Sequence, residues 1–309
     1  MEKKIVVDQK SLMGLLASMQ PICSKRTALE ATTSILFHVG HKELVLKSTD
    51  LEVSLQASCG LRESTLEEPC SFLVSGKRIF EVVKELDGDI SLIIDDHQIA
   101  VQAGTVNLAL NIKKAQEFPP FPERIENLLP LDAQLVRSLL ESVSFLVPQN
   151  SANPALNGLL LEVGPEGLTM TATDGHCLAQ VSTQRMQLAQ SRNWLLPRRA
   201  VFELKKILET SLDHTIFVGV CSGQLVFSGE LFNFFTKLLA DKFPHYQTIL
   251  QKDGFIPATI DRSRLTKTLR RASCFLSGQF LATKFSFNGD AVQVSMHNKE
   301  VGKLDEELA

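Results

Sequence analysis

Tryptophan and tyrosine are nearly missing from this chain: of 309 residues, one is Trp and one is Tyr. No apolar run approaches the roughly 18 residues that a membrane helix needs, so no membrane partner is expected. After Met1-Glu2-Lys3-Lys4 the chain offers only Ile5-Val6-Val7, too short for the apolar region of a signal peptide. The six cysteines (23, 59, 70, 177, 221 and 274) include no Cys-x-x-Cys pair, and read as reduced, mostly buried thiols. A formal charge of −3 excludes a generally basic nucleic-acid coat while allowing a local basic surface. Ser75-Gly76-Lys77 lacks the upstream glycine of a phosphate loop, and His38 and His41 flank a turn at a spacing unsuited to a metal pair. Asp174 and His176 have no nucleophile or third group in sight. The expectation is a cytoplasmic protein with no cofactor, no metal and no catalytic residues.

What the chain does have is a long repeat. Ile35, Phe37 and Val39 alternate along one predicted strand, and Leu159, Leu161 and Val163 do so 124 positions later. Thr283, Phe285 and Phe287 follow after another 124. The next strand of each copy ends at Thr49-Asp50, Thr173-Asp174 and His297-Asn298, at the same interval. A period this long is a whole domain rather than a solenoid unit. Asp8, Asp132 and Asp261 each precede an apolar stripe at helical spacing and are expected N-caps. Helices are predicted over 8–20, 76–86, 131–147, 197–210 and 261–276, with further strands over 43–49, 52–57, 90–94, 99–103 and 106–112 in the first copy and 167–172, 177–183, 215–220, 224–228 and 232–239 in the second; Phe232, Phe234 and Phe235 read as core and edge packing. Phe118-Pro119-Pro120-Phe121-Pro122 and Phe243-Pro244 mark the joints. This predicts an α+β chain of domains at 1–122, 128–249 and 255–309, the last holding only the first half of its pattern. By the period, roughly 55–65 further residues would complete it.

Charge is segregated. The five predicted helices hold 14 Lys/Arg against 8 Asp/Glu, so the remainder of the chain stands at −9. Arg262, Arg264, Lys267, Arg270 and Arg271 form the densest group, followed by Arg198, Arg199, Lys205 and Lys206. One such helix is simply a solvated face; cations on several helices of one architectural side point to a polyanion. Without elements for base readout, the expected mode is phosphate contact with salt-sensitive, sequence-indifferent affinity.

The sharpest local string is Thr171-Ala172-Thr173-Asp174-Gly175-His176-Cys177-Leu178-Ala179, with Leu156-Asn157-Gly158 before it and Lys242-Phe243-Pro244-His245-Tyr246 after it. Together with Thr49-Asp50-Leu51-Glu52, these segments closely resemble the bacterial β sliding clamps, the processivity subunits of DNA polymerase III. The resemblance implies the DNA-clamp fold: repeated domains, each with two helices packed on antiparallel sheets, closed as a head-to-tail homodimer around double-stranded DNA. It implies a pocket for short linear motifs of the replicative polymerase, the clamp loader and repair proteins. The matching positions are Leu156, Thr173, Gly175, His176, Leu178, Pro244 and Ile249, with Cys177 standing where the family usually has Arg. For DNA it points to Lys25, Arg26, Arg198, Arg199 and Phe280, beside the helix cations Lys205, Arg264, Lys267 and Arg271. For the subunit seam it points to Leu108 and Leu110 meeting Cys274 and Phe275 of the other subunit. The early stop leaves an alternative: a clamp-like peptide-binding protein that closes no ring, dimerises weakly and is poorly ordered beyond about Leu250.

Overall fold

A carboxylate that accepts from the first turn opens three of the five helices found among the described residues. Asp8 accepts from the Ser11 amide (3.0 Å), Asp132 from Leu135 (2.9 Å) and Asp261 from Arg264 (2.7 Å). The computed structural model describes residues 3–23, 29–122, 126–221, 223–251, 254, 256–277, 282–289 and 291–308. The described ladders are all antiparallel.

The first copy runs β1 (Lys3–Asp8), α1 (Gln9–Met19), β2 (Ser34–Val39), β3 (Glu43–Thr49), β4 (Val53–Gly60), β5 (Glu63–Ser64), β6 (Cys70–Ser75), α2 (Gly76–Lys84), β7 (Asp89–Ile94), β8 (Gln98–Ala103) and β9 (Val106–Lys114). The second repeats the order without the short β5: β10 (Glu126–Asp132), α3 (Ala133–Val143), β11 (Gly158–Gly164), β12 (Gly167–Thr173), β13 (Leu178–Thr183), β14 (Arg192–Pro197), α4 (Arg198–Thr210), β15 (Thr215–Cys221), β16 (Gln224–Ser228) and β17 (Phe232–Thr236). Both lie in one unit, Met1–Pro244. The other unit, His245–Ala309, carries α5 (Arg262–Ser273) and a three-stranded sheet of β18 (Lys284–Asn288), β19 (Ala291–Asn298) and β20 (Gly302–Leu308).

Within the first unit, period-two burial places Ile90, Leu92 and Ile94 of β7 and Ile99, Val101 and Ala103 of β8 in the core. Leu12, Leu16 and Met19 of α1, and Val136, Leu139, Leu140 and Val143 of α3, supply the helical side. The helices form a contiguous row, α2 on α1, α1 on α4 and α4 on α3. The two copies also share backbone bonds: β17 of the second pairs with β4 of the first, from Phe232 opposite Ala57 to Thr236 opposite Val53. That ladder makes a single 13-stranded sheet, in which Phe234 lies opposite Leu55 and is fully buried.

Two predicted elements end early for physical reasons. The helix expected over 131–147 is α3 plus a 3-10 turn at Ser144–Leu146, because Val147 precedes Pro148 and is driven to extended backbone (ψ 111°). The strand expected over 232–239 ends at Thr236, after which the Lys237 amide donates to Glu52 O and that of Leu239 to Leu195 O.

Candidate functional site

Thr-Asp turns, recurring at the repeat interval, are built by one hydrogen-bond scheme. In the first copy the Glu52 and Val53 amides donate to Asp50 Oδ1 (2.9 and 2.8 Å), and that of Leu51 donates to Thr49 Oγ1 (3.0 Å). In the second the His176 and Cys177 amides donate to Asp174 Oδ1 (2.9 and 2.7 Å), and that of Gly175 donates to Thr173 Oγ1 (3.1 Å). Asn298 accepts from Glu300 and Val301 in the same way (2.9 and 3.2 Å). The scheme needs positive φ at its third residue in the first two copies, 76° at Leu51 and 93° at Gly175. Glycine adopts this without the Cβ penalty that Leu51 bears. The amides of Cys177 and then His176 hold the Asp174 carboxyl below the ordinary carboxylate range.

Around the second turn the structure brings together Leu156, Thr173, Gly175 and Leu178. Leu156 closes a 3-10 turn (Pro154–Leu156), nearly buried, and its Cδ1 lies 3.6 Å from where a Cβ on Gly175 would be. Thr173 is buried opposite half-buried Leu178, the first residue of β13. His176 and Cys177 are exposed on the rim, and Pro244 is half-buried at the end of the unit. Ile249 belongs to the second unit, where it is exposed in a 3-10 turn (Gln247–Leu250). The adjoining Asn157-Gly158 supports the dish in ways the string alone does not reveal. Asn157 Oδ1 accepts from the Ser151 amide (2.7 Å), and its carbonyl accepts from the Arg198 amide at the start of α4 (2.8 Å). A Cβ on Gly158 would come within 2.6 Å of the Leu196 carbonyl, so only glycine allows β11 and β14 to approach.

The predicted cations occupy unequal environments. Lys25, Arg26 and Phe280 lie outside the described residues. Arg198 donates to Val147 O and lies over the Phe202 ring, 4.4 Å from its centroid. Arg199 is ion-paired with Asp50 and donates through Nη2 to Pro21 O (3.0 Å) and Ile22 O (3.3 Å). Lys205 pairs with Glu209 at 3.8 Å. Arg271 forks onto Glu306, Nε to Oε2 at 2.9 Å, which holds the Glu306 carboxyl below its ordinary range. Arg264 and Lys267 are exposed on α5, as are Arg262 and Arg270, and no ion pair among the described residues involves Arg262, Lys267 or Arg270. The helix charge is thus partly neutralised by carboxylates three or four residues away, such as Glu81, Glu141, Glu203 and Glu209.

The predicted seam residues sit on open edges of sheet or at a helix end. β9 pairs with β8 over Val106–Asn111 and with β6 over Ile112–Lys114, so residues 106–111 have no ladder on their other side among the described residues. Leu108 is 40% exposed there and Leu110 is half-buried. Cys274 is exposed after α5, and the half-buried Phe275 accepts from Asn298 Nδ2 through its carbonyl (2.9 Å). Among the described residues no cluster of His, Cys, Asp or Glu could hold a metal ion, and no helix is long and apolar enough to cross a membrane.

Comparison with known proteins agrees with this geometry. Residues 3–122 match the family model of the DNA polymerase III beta subunit, N-terminal domain, and residues 130–245 match that of its central domain. The beta sliding clamp of Pseudomonas putida is 28% identical over 310 aligned residues, which cover 98% of this chain and 83% of the relative. A solved DNA polymerase sliding clamp from Pseudomonas aeruginosa superposes with a TM-score of 0.88 at 24% identity, covering 99% of this chain and 83% of that one. A second from that organism, bound to griselimycin, gives 0.87 at 23% identity, with 100% and 84% covered. Two consecutive clamp domains in the family's order, carried on the clamp fold, account for most of the sequence: the chain belongs to the bacterial DNA polymerase III beta subunit family, the DNA polymerase sliding clamps.

Proposed function

We propose that this chain is a cytoplasmic, non-enzymatic processivity clamp that encircles duplex DNA as a head-to-tail homodimer. It tethers the replicative polymerase, the clamp loader and repair proteins by their short linear motifs. Its domains are 1–122, 128–249 and 255–309. The observation that carries the reading is the internal seam. Strand β17 of the second copy uses its edge to pair with β4 of the first, and β9, the strand at the same place in the first copy, keeps that edge open. Leu108 lies opposite Val101 as Phe234 lies opposite Phe227, and Leu304 lies opposite Met296 as Leu55 does opposite Ser48. Repeating the internal seam between subunits therefore sets Leu108 against Leu304 of another copy, with Leu110, Cys274 and Phe275 beside them. A heterologous contact of this kind closes into a ring when its rotation permits.

Lys25, Arg26, Arg198, Lys205, Arg264, Lys267, Arg271 and Phe280 are assigned to the DNA side, as phosphate contacts that read no sequence. Arg199 belongs to the same surface by position. The dish of Leu156, Thr173, Gly175, His176, Leu178 and Pro244 takes the linear motif, its apolar members holding a Leu or Phe anchor. Griselimycin, the ligand of a solved relative, is the probe for that dish: Leu178→Ser and Pro244→Ser should each weaken its binding, and undiminished affinity in both would remove the assignment. Sedimentation equilibrium tests the seam. Twice the 34.2 kDa chain mass, reduced to a single mass by Leu108→Asp, is the expected result; a monomer at all concentrations favours a clamp-like binder that closes no ring.

A further inference from the structure

We propose that Arg199 is a positioning residue that fixes the angle between the first and second copies, and is not a phosphate contact. Its guanidinium stands in the first turn of α4, where the helix dipole disfavours a cation and no acidic side chain is present to offset it. What holds it there comes entirely from the other copy. One arm meets Asp50, whose side chain is only 6% exposed. The other donates to the carbonyls of Pro21 and Ile22, just past the end of α1. A planar fork suits this set of acceptors, and an ammonium on a flexible stem does not.

The first-copy turn is gripped from a second side as well. The Lys237 amide, beyond the end of β17, donates to Glu52 O at 2.9 Å, and the β17–β4 ladder begins at the next residue, Val53 opposite Thr236. Asp50 thus has its Oδ1 filled by the Glu52 and Val53 amides and its Oδ2 by Arg199. Loss of Arg199 would leave a nearly buried carboxylate without its counter-charge, which strongly destabilises the arrangement around it. The ladder sets the register of the two copies, and Arg199, on the helical side of the sheet, limits rotation about that ladder. For the clamp proposed above, this angle determines whether two chains meet as a ring; the fixing of the angle itself does not depend on DNA.

The test places spin labels at Lys42→Cys and Glu166→Cys, one in each copy, in a chain carrying Cys177→Ser and Cys274→Ser. Distance distributions are compared for Arg199, Arg199→Gln, Asp50→Asn and the double variant, with the salt dependence of duplex binding measured in parallel. The distribution should broaden in each single variant and no further in the double, while the slope of log affinity against log salt stays unchanged. Arg199→Lys, which keeps the charge and loses the fork, should broaden it too, and serves if the Gln variant does not fold. An unchanged distribution overturns the proposal, as does a slope lowered by about 0.9, the value for one lost phosphate contact. Absence of duplex binding in the parent chain would count against the clamp reading and leave the distance arm standing.

Discussion

Phe234 and Leu108 occupy one place in two copies of the same module, and truncating each to Ala should differ in its dependence on protein concentration. Phe234 is fully buried between Phe227 on its own hairpin and Leu55 across the seam. Phe→Ala at such a site costs about 3–5 kcal/mol from lost transfer free energy and the cavity left behind. For a unit of this size each kcal/mol lowers the midpoint by about 2–4 °C, so thermal unfolding should fall by roughly 6–20 °C. That shift should be the same at low and high protein concentration, because both sides of the seam belong to one chain. Leu108 is 40% exposed on an open edge, so Leu108→Ala should cost the isolated chain under about 1 kcal/mol. Its effect should grow with concentration, where subunits associate, and appear as a weaker dimer. Differential scanning calorimetry over a concentration series reads both. A concentration-independent loss for Leu108→Ala comparable to that of Phe234→Ala would refute the equivalence of the two strands, and with it the derivation of the subunit seam.

Gly158→Ala should destabilise the second copy by about 1–3 kcal/mol, since its Cβ would press on the Leu196 carbonyl at 2.6 Å; chemical denaturation reads this, and a neutral effect would mean that β11 and β14 separate freely. Thiol titration at pH 8 should show fast reaction at the exposed Cys177 and Cys274 and slow reaction at Cys23 and Cys59, which burial pushes up to about 12 and about 11. Those raised values mean that stability from the two neutral thiols is complete below about pH 8.5, the unfolded value, and is lost as pH climbs through the folded ones. The Asp174 and Glu306 carboxyls are held below their ordinary range, so their contribution should be complete above about pH 4 and lost as pH falls through the lowered values. Glu306→Gln should blunt the acid sensitivity of the second unit; an unaltered acid profile would show that the Arg271 fork contributes nothing.

Local signals carried far in this chain. The three capping aspartates, the strand alternation of the first two copies and the Thr-Asp turns are each set by residues within a few positions of one another, and each formed at the expected place; in the third copy Thr283 precedes β18, and Phe285 and Phe287 are exposed. Pairing between copies was not legible, because an edge strand has the same alternation whether its neighbour is water, its own copy or the next. Phe232, Phe234 and Phe235 read only as core and edge packing, yet they carry the module seam. β10 was missed for a different reason: Glu126–Asp132 has little alternation and is held by β15. In the candidate site, the Leu-Asn-Gly and Thr-Asp-Gly strings lie together, Leu156 against Gly175, whereas the acceptors of Arg199 come from residues more than a hundred positions away. Part of the charge segregation could have been discounted from sequence, since Glu203–Lys206 and Lys205–Glu209 stand at helical pairing distances.

Retention on DNA with and without ends bears most directly on the encircling mechanism. Labelled protein is assembled on a nicked circular duplex with a clamp loader, passed through gel filtration, and the DNA is then linearised by one cut. A closed ring should co-elute with the circle, resist moderate salt and be lost once ends are available. Equal retention on circular and linear duplex, or none on either, would contradict a topological grip.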